Sequence, residues 1–513
     1  MNQTQILILG SGLAGALSAI IAAEKGFKVT IITKTDDLLS GSSRYAQGGI
    51  IYKGDNDTPE KLKSDIMDAG AGHCWEPAVD QLCELGPKLV KELLIDRLQV
   101  DFDKDINSEL DLTSEGAHSQ PRIIHSKDMT GRTIQTSVIK ALHQNKNIEI
   151  LTNHTLVDLL TLSHHSKNSL DIYEKPACFG ALVLNNVTGK VFPIFAVKTI
   201  LATGGLGQIY IHTTNPAEAT GDGIAAAWRA GARCFNLQYI QFHPTTFFGE
   251  RERFLISESL RGEGAVLKDK DRKEFMQKYH PLGSLAPRDI VSRAIHHTLL
   301  VSKHPCVYLD ISFKKSEWIR NRFPTIYQHC YDDGVDITKE MIPVVPAAHY
   351  FCGGVGVSLR GRTSLRRLYA VGEVSCTGVH GANRLASASL LENVVWAWKA
   401  ANDACTFIKS DEYFPNIFPW EEENELVDMA LIAQDWQTIK NTMWNYVGLV
   451  RTQQRLQRAK TTLRHLHTEI EQFYKKAKMT REIIELRNGV QTAMAVFQYA
   501  SEDRISRGAH YIE

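Results

Sequence analysis

Three glycines between an apolar run and a helical pattern constrain this chain more than any other feature. Residues 5–9 read Gln-Ile-Leu-Ile-Leu, Gly10-x-Gly12-x-x-Gly15 follows, and Leu13 to Glu24 has the spacing of a small-residue helix. Lys28 to Thr33 then reads as a second buried strand, which makes a β–α–β opening. In that setting the first glycine makes the turn, the second admits a pyrophosphate, and the third packs helix on strand. The helix N-terminus offers free N–H groups and a favourable dipole to the anion. Gly10, Ser11, Gly12, Leu13, Ala14 and Gly15 are therefore expected to contact a dinucleotide.

One part of the fingerprint is absent. The second strand should end on an acid that binds the adenosine ribose, yet Thr33-Lys34 stands there. A lysine suits a 2′-phosphate and hence NADP. Two later segments favour FAD. Val197 to Thr203 is an apolar run entering Gly204-Gly205, and Leu368-Tyr369-Ala370-Val371 runs into Gly372-Glu373. Two distant strand ends that return to one nucleotide suit the longer FAD, whereas a nicotinamide usually needs one such unit.

A second dense segment lies between His243 and Gly264. It contains His243-Pro244-Thr245-Thr246 and Ser257-Glu258-Ser259-Leu260-Arg261-Gly262-Glu263-Gly264. Carboxylates, a guanidinium and an imidazole crowd among glycines that let backbone approach a ligand. A core could not bury those charges without partners. The segment reads as the substrate side of the nucleotide site. Arg261 and Glu263 within it fit an internal ion pair at least as well as a substrate contact.

Composition narrows the partners. The 513 residues suffice for about three domains. The 58 basic and 58 acidic residues cancel, which gives no whole-chain attraction to nucleic acid or to an anionic membrane. The 9 cysteines are scattered and form no C-x-x-C pair, which argues for a reducing compartment and against a disulfide framework or a metal site. Leu13 to Ala23 is apolar but has no basic segment before it, so it is not read as an export signal. No apolar run reaches the roughly 20 residues of a membrane span. A cytoplasmic protein is expected.

Further along, Gly41 to Gly54 reads as loop, residues 75–100 as helix, and 101–121 as an irregular polar stretch. Helices are expected over Gly223 to Ala230 and from about Ser387 to Phe407, and residues 240–349 look mixed. From about residue 410, Pro415, Pro419 and Glu421 to Glu423 mark a linker. Beyond it Leu456, Ala459, Leu463, Leu466, Ile470 and Phe473 form an amphipathic stripe, and Ile483 to Tyr499 suggests a second helix. Their basic residues read as a solvated face rather than an RNA surface.

Taken in order, the motifs resemble a known family. They are Gly10-Ser11-Gly12-Leu13-Ala14-Gly15, Tyr45-Ala46-Gln47-Gly48-Gly49, Ser114-Glu115-Gly116-Ala117-His118-Ser119, Thr220-Gly221-Asp222-Gly223, His243-Pro244-Thr245 and Glu258 to Gly264. Ala286-Pro287-Arg288-Asp289, Ala347-Ala348-His349-Tyr350 and Gly378 to Ser387 complete the set. The chain resembles the L-aspartate oxidase family, within the flavoprotein superfamily of succinate dehydrogenase and fumarate reductase. The resemblance implies an α/β plus α architecture. A Rossmann-like FAD-binding domain is split over 1–237 and 351–422, an α+β capping domain is inserted at 238–350, and a helical bundle occupies 423–513. It implies oxidation of L-aspartate to iminoaspartate, with hydride passing from C2 to flavin N5 and reoxidation by oxygen or fumarate. Iminoaspartate would feed quinolinate and NAD biosynthesis, with quinolinate synthase as a possible partner.

The resemblance also implies residue roles. Arg384, His243 and His349 would hold the two carboxylates, for which a guanidinium is suited. Arg288 matches an arginine that exchanges a proton at C3 when fumarate is reduced. Arginine is a poor acid–base at its ordinary pKa above about 12, so the role implies help, and Glu258 is the candidate. Ser257, where threonine is usual, would add a hydrogen bond. Lys34 falls on the adenosine side. Ser42, Ser43, Arg44, Tyr45, Ala46, Gln47, Gly48 and Gly49 form the loop over the isoalloxazine, and Asp222, Glu373, Ser389 and Leu390 are later flavin contacts. Ala388 replaces a usual asparagine. Ser42 stands where membrane-complex relatives carry the histidine bound covalently to FAD, so a non-covalent flavin is expected. Glu115 is the expected partner of the aspartate ammonium. Without that partner, the alternative is a soluble fumarate reductase or succinate dehydrogenase-type flavoprotein.

Overall fold

The Asn2–Leu9 strand lies inside a seven-stranded sheet in a computed structural model that describes residues 2–250, 253–406, 408, 414–423 and 425–513. The strand order is Ile148–Leu151, Val29–Ile32, Asn2–Leu9, Val191–Leu201, Cys178–Asn185 and His154–Thr161, and Leu368–Ala370 also pairs with Val191–Leu201. The pairs around Asn2–Leu9, and that of Leu368–Ala370, are parallel; the two at the His154–Thr161 end are antiparallel. Ile6, Leu7 and Ile8 are completely buried, which is why the strand reads as an unbroken apolar run. The Leu13–Glu24 helix covers one face and packs against the Ala388–Ala404 helix, where Trp396 is also fully buried. The expected helix over 223–230 forms as Asp222–Arg229. The expected helix end at Phe407 and the linker start near residue 410 lie outside the described residues.

The stretch that looked mixed is an ordered α+β unit. Its four-stranded antiparallel sheet runs Ile240–Phe247, Ile342–Phe351, Val307–Asp310, Val266–Lys268. The Arg288–Ser302 helix packs on it, and Phe247, Ile256, Leu260, Leu309 and Ile342 build a separate core. The strands are short and divided by turn residues, so no long period announces them. The register shifts between His243 and Thr246, where Pro244 has no N–H to donate.

Two local expectations change. Gly41 to Gly54 is not all loop: Ser42–Tyr45 is a 3-10 turn, and Ile50–Ile51 pairs with Ile123–Ile124. Leu112–Thr113 adds a third strand to that small sheet, so the polar stretch is not wholly irregular and Glu115 sits just past a strand end. The C-terminal region has three helices, Met429–Tyr446, Gln453–Lys476 and Arg481–Glu502. Asp428, Thr452 and Thr480 cap them by accepting the N–H groups of Ala430, Arg455 and Ile483. Leu456 through Ile470 bury as the stripe requires, but Tyr474 rather than the partly buried Phe473 takes its last buried place. These helices share one apolar cluster with the main sheet.

Gly10 tests the nucleotide turn. Its φ is +116°, and a Cβ there would collide with the Ala202 carbonyl. Gly10→Ala is expected to cost roughly 1–3 kcal/mol in backbone strain alone and to yield protein purified without yellow flavin. Full flavin content with an unchanged melting curve would remove the turn from this role.

Candidate active site

A cavity of about 430 Å³ runs from the glycine turn to the underside of the four-stranded sheet. Gly10–Ala14, Lys34, Ser42, Ser43, Tyr45–Gly49, Glu115, Asp222, His243, Ser257, Glu258, Arg288, His349, Glu373, Arg384, Ser389 and Leu390 all line it. Two expected residues do not. Gly15 packs beneath the turn against Gly10 and Ala202, as a helix–strand glycine should. Arg44 pairs with Asp37 at 3.4 Å and lies over the Tyr45 ring.

At the nucleotide end, the Leu13–Glu24 helix begins at Gly12 without a side-chain cap, and the Leu13 N–H donates to Ser43 Oγ at 3.2 Å. Uncapped first-turn N–H groups of this kind are the donors that a phosphate takes at a helix N-terminus. Lys34 does not present a bare charge. Its Nζ lies 2.8 Å from Asp222 and 2.7 Å from Glu485, and donates to Thr220 Oγ1. Burial works against the ammonium, but those carboxylates outweigh it and raise its pKa. A lysine held by two acids does not need a 2′-phosphate, which resolves the sequence ambiguity in favour of FAD. Glu485, and Asn488 Nδ2 which donates to Asp222 at 3.0 Å, come from the last helix.

Buried polar atoms normally find partners. Along this cavity Gln47 Oε1, Thr203 Oγ1, Asn393 Oδ1, His243 Nε2 and Arg384 Nε are buried with none. Together with the glycine cradle, they fit a long polar cofactor at one end and a small polar ligand at the other. Glu373 accepts the Phe351 N–H at 3.0 Å, and burial pushes its carboxyl up to about 7.

The substrate end is a cluster of positive charge around one acid. Arg288 opens the Arg288–Ser302 helix, and its Nε donates to Glu258 Oε2 at 2.5 Å. Arg261 Nη2 lies 3.1 Å from Glu258 Oε1. Burial would raise the Glu258 pKa, but Arg288 and Arg261 override it and hold the carboxyl at about 2. The ion pair expected within the loop forms, with Glu258 rather than Glu263 as the partner of Arg261. Arg261 is fully buried on Glu258 and the Ser284 carbonyl, while Glu263 lies 3.7 Å from Arg322. Arg384 lies over the Tyr350 ring at 4.5 Å and donates to Ser389 Oγ and to Gln241 Oε1 at 3.0 and 3.3 Å. Ser257 Oγ is 2.9 Å from Ser259 Oγ.

His243 and His349 face each other with ring centroids 5.3 Å apart. Burial first, then neighbouring guanidinium groups, push both well below the ordinary histidine value. They are neutral hydrogen-bonding groups, so the site's positive charge comes from Arg288, Arg384 and Arg261. Thr214 Oγ1 lies 2.8 Å from His349 Nδ1 and fixes that ring. Glu115 packs on the flavin loop: a Cβ at Gly48 would strike its Oε1.

Sequence reasoning missed Gln241, whose Oε1 accepts from both Arg288 and Arg384. It lies two residues before His243 on one strand, and side chains two apart share a face. That spacing was the available signal. Glu485 gave none, because 451 residues separate it from Lys34.

Comparison with known proteins agrees with this geometry. A family profile described as an FAD binding domain matches residues 5–390, and one described as the fumarate reductase flavoprotein C-terminus matches 436–513. An L-aspartate oxidase of Pseudomonas aeruginosa is 42% identical, over 99% of this chain and 95% of its own. A chloroplastic L-aspartate oxidase of Arabidopsis thaliana is 38% identical, over 98% of this chain and 80% of its own. A structure of Escherichia coli quinol fumarate reductase superposes with a TM-score of 0.87 at 26% identity, covering 100% of this chain and 92% of that one. Among the described residues no helix is long and apolar enough to cross a membrane.

The Glu258 pair has a pH signature. A carboxyl held at about 2 instead of 4.5 contributes stability on the order of 3 kcal/mol. That contribution is complete above the ordinary glutamate value and is lost as pH falls towards 2. Glu258→Gln is therefore expected to be less stable than the parent at neutral pH, with the gap closing between about pH 4.5 and 2. Urea unfolding across that range measures it, and a gap constant with pH would contradict the assignment.

Proposed function

The chain belongs to the L-aspartate oxidase family, and on that premise we propose that it oxidises L-aspartate to iminoaspartate. The observation that carries the reading is a carboxylate, Glu115, on the flavin-loop wall of the cavity that Arg288 and Arg384 also line, where the other nearby acid, Glu258, is already paired with Arg288 and Arg261. Arginines alone would serve any dicarboxylate. An acid beside them serves one that also bears an ammonium. Ser42 offers no ring nitrogen for attachment, so FAD is held non-covalently by the glycine turn, the Ser42 to Gly49 loop, Asp222, Glu373, Ser389 and Leu390.

Arg384 and His349 take one substrate carboxylate, while His243 and Ser257 take the other. Glu115 pairs with the amine. This orients C2 and keeps the ammonium from turning toward the arginines. Bound FAD supplies the hydride acceptor. Arg288 guards the C3 side; when fumarate is the oxidant it gives a proton there, and the ionised Glu258 at 2.5 Å passes that proton in or out. Gln241 holds Arg288 and Arg384 in a common frame.

Oxygen or fumarate reoxidises the enzyme, and the product enters quinolinate and NAD biosynthesis. Quinolinate synthase, which would consume unstable iminoaspartate, is the proposed partner, and the cytoplasm the proposed location. The working domain limits are 1–237 and 351–422 for FAD binding, 238–350 for the cap and 423–513 for the helical bundle. The likeness to quinol fumarate reductase supports a second reading as a soluble fumarate reductase.

One assay separates the readings. Anaerobic L-aspartate is expected to bleach the flavin, and in air to release peroxide and oxaloacetate; faster bleaching by succinate selects the second reading. Glu115→Gln is expected to weaken aspartate oxidation about tenfold or more, the scale of a lost hydrogen bond to a charged group, and fumarate reduction much less. Equal losses in both remove Glu115 from the amine.

A further inference from the structure

The geometry assigns Ser387 as the residue that positions Glu115 and so sets the preference for an amino dicarboxylate; this rests on the proposed role of Glu115. Ser387 precedes the Ala388–Ala404 helix with φ 56° and ψ 1°, the left-handed region that side chains other than glycine rarely enter. Backbone strain of this kind persists where the surroundings enforce it and concentrates at functional positions. Here the surroundings are specific. The Ser387 hydroxyl donates to Glu115 Oε2 at 2.6 Å and accepts the Gly49 N–H at 3.2 Å. Glycine would adopt the same backbone freely, but it has no hydroxyl.

The hydroxyl therefore joins three parts of the site. Ser387 itself lines the cavity beside Glu115; through Gly49 it reaches the flavin loop; and along the chain it follows Arg384 by three residues. Glu115 is otherwise unsupported on its carboxylate, since among the described residues no protein donor reaches Oε1. A carboxylate with one oxygen fixed by a donor and the other pressed against Gly48 keeps a single orientation. Among the described residues Ser387 is the only side chain that donates to the Glu115 carboxylate. Ser387 is therefore a positioning residue that acts through Glu115.

The test is a double-mutant cycle read on KM and kcat for L-aspartate with the flavin-loaded enzyme. Ser387→Ala keeps the strained position without the hydroxyl, and Ser387→Gly removes both the hydroxyl and the strain. Both are expected to raise KM for L-aspartate about tenfold, with a smaller change in kcat and in KM for fumarate. In a Glu115→Gln background, Ser387→Ala is expected to add less than about twofold, because its partner is already lost. A Ser387→Gly enzyme with parental KM would show that the hydroxyl is not needed. An undiminished effect in the Glu115→Gln background, or parallel losses with aspartate and fumarate, would assign Ser387 a general structural role and overturn the proposal. Parent enzyme that fails to oxidise L-aspartate would instead refute the proposed function itself.

Discussion

The site exists because parallel strands end side by side. Leu9 pairs with Ile32 on one side and Leu201 on the other, and Leu201 pairs with Ala370. The next residues are therefore neighbours: the Ala202 N–H donates to the Leu9 carbonyl, and the Val371 N–H to the Leu201 carbonyl. Gly10, Thr203 to Gly205 and Gly372-Glu373 converge on one edge although more than 360 positions separate the first from the last. Ligands in open α/β sheets bind at such carboxyl ends. With a Cβ at Gly10 the first of these loops could not close on the second.

The substrate end depends on charge brought together from the α+β unit, which carries Arg261 and Arg288, and from the segment before the Ala388–Ala404 helix, which carries Arg384. Three guanidinium groups gather there, and a cluster of like charges is costly to bury unless acids and ligands compensate it. Glu258 compensates two of them, Arg288 and Arg261. Arg384 is left with the Tyr350 ring, Ser389 and the neutral Gln241. The deficit of negative charge lies at Arg384, on the cavity wall, where an anionic ligand would supply it. Both histidines are kept neutral by the same surroundings, so they add donors and acceptors without adding to the repulsion.

Much of this could be read from residues alone, and the remainder could not, for physical reasons. The glycine turn was legible because steric demands on backbone leave glycine few substitutes there. The stripe from Leu456 to Ile470 was legible because a helix repeats. The cap was not, because its strands are short and its bulge at His243 breaks any period. Roles for Arg288, Arg384 and Glu115 came from resemblance to a family; spacing alone gave them no partners. Side-chain pairing across the fold was the least accessible layer. Arg261 chose Glu258 over the nearer-looking Glu263, and Lys34 found Glu485 on the last helix. Those choices follow from burial, which sequence order does not encode.

Lys34 and Ser387 show how the two ends of the cavity are tied to remote parts of the chain. At the nucleotide end, the last helix supplies Glu485, which shares Lys34 with Asp222, and Asn488, which donates to that Asp222. At the substrate end, Gly48 leaves room for Glu115, and Gly49 hydrogen-bonds the Ser387 hydroxyl that holds it. One loop therefore serves two purposes: it lines the flavin side of the cavity and forms part of the wall that supports Glu115. A change in that loop's path would move Glu115 with it, so under the role proposed for Glu115 the loop couples selection of the substrate amine to seating of the cofactor.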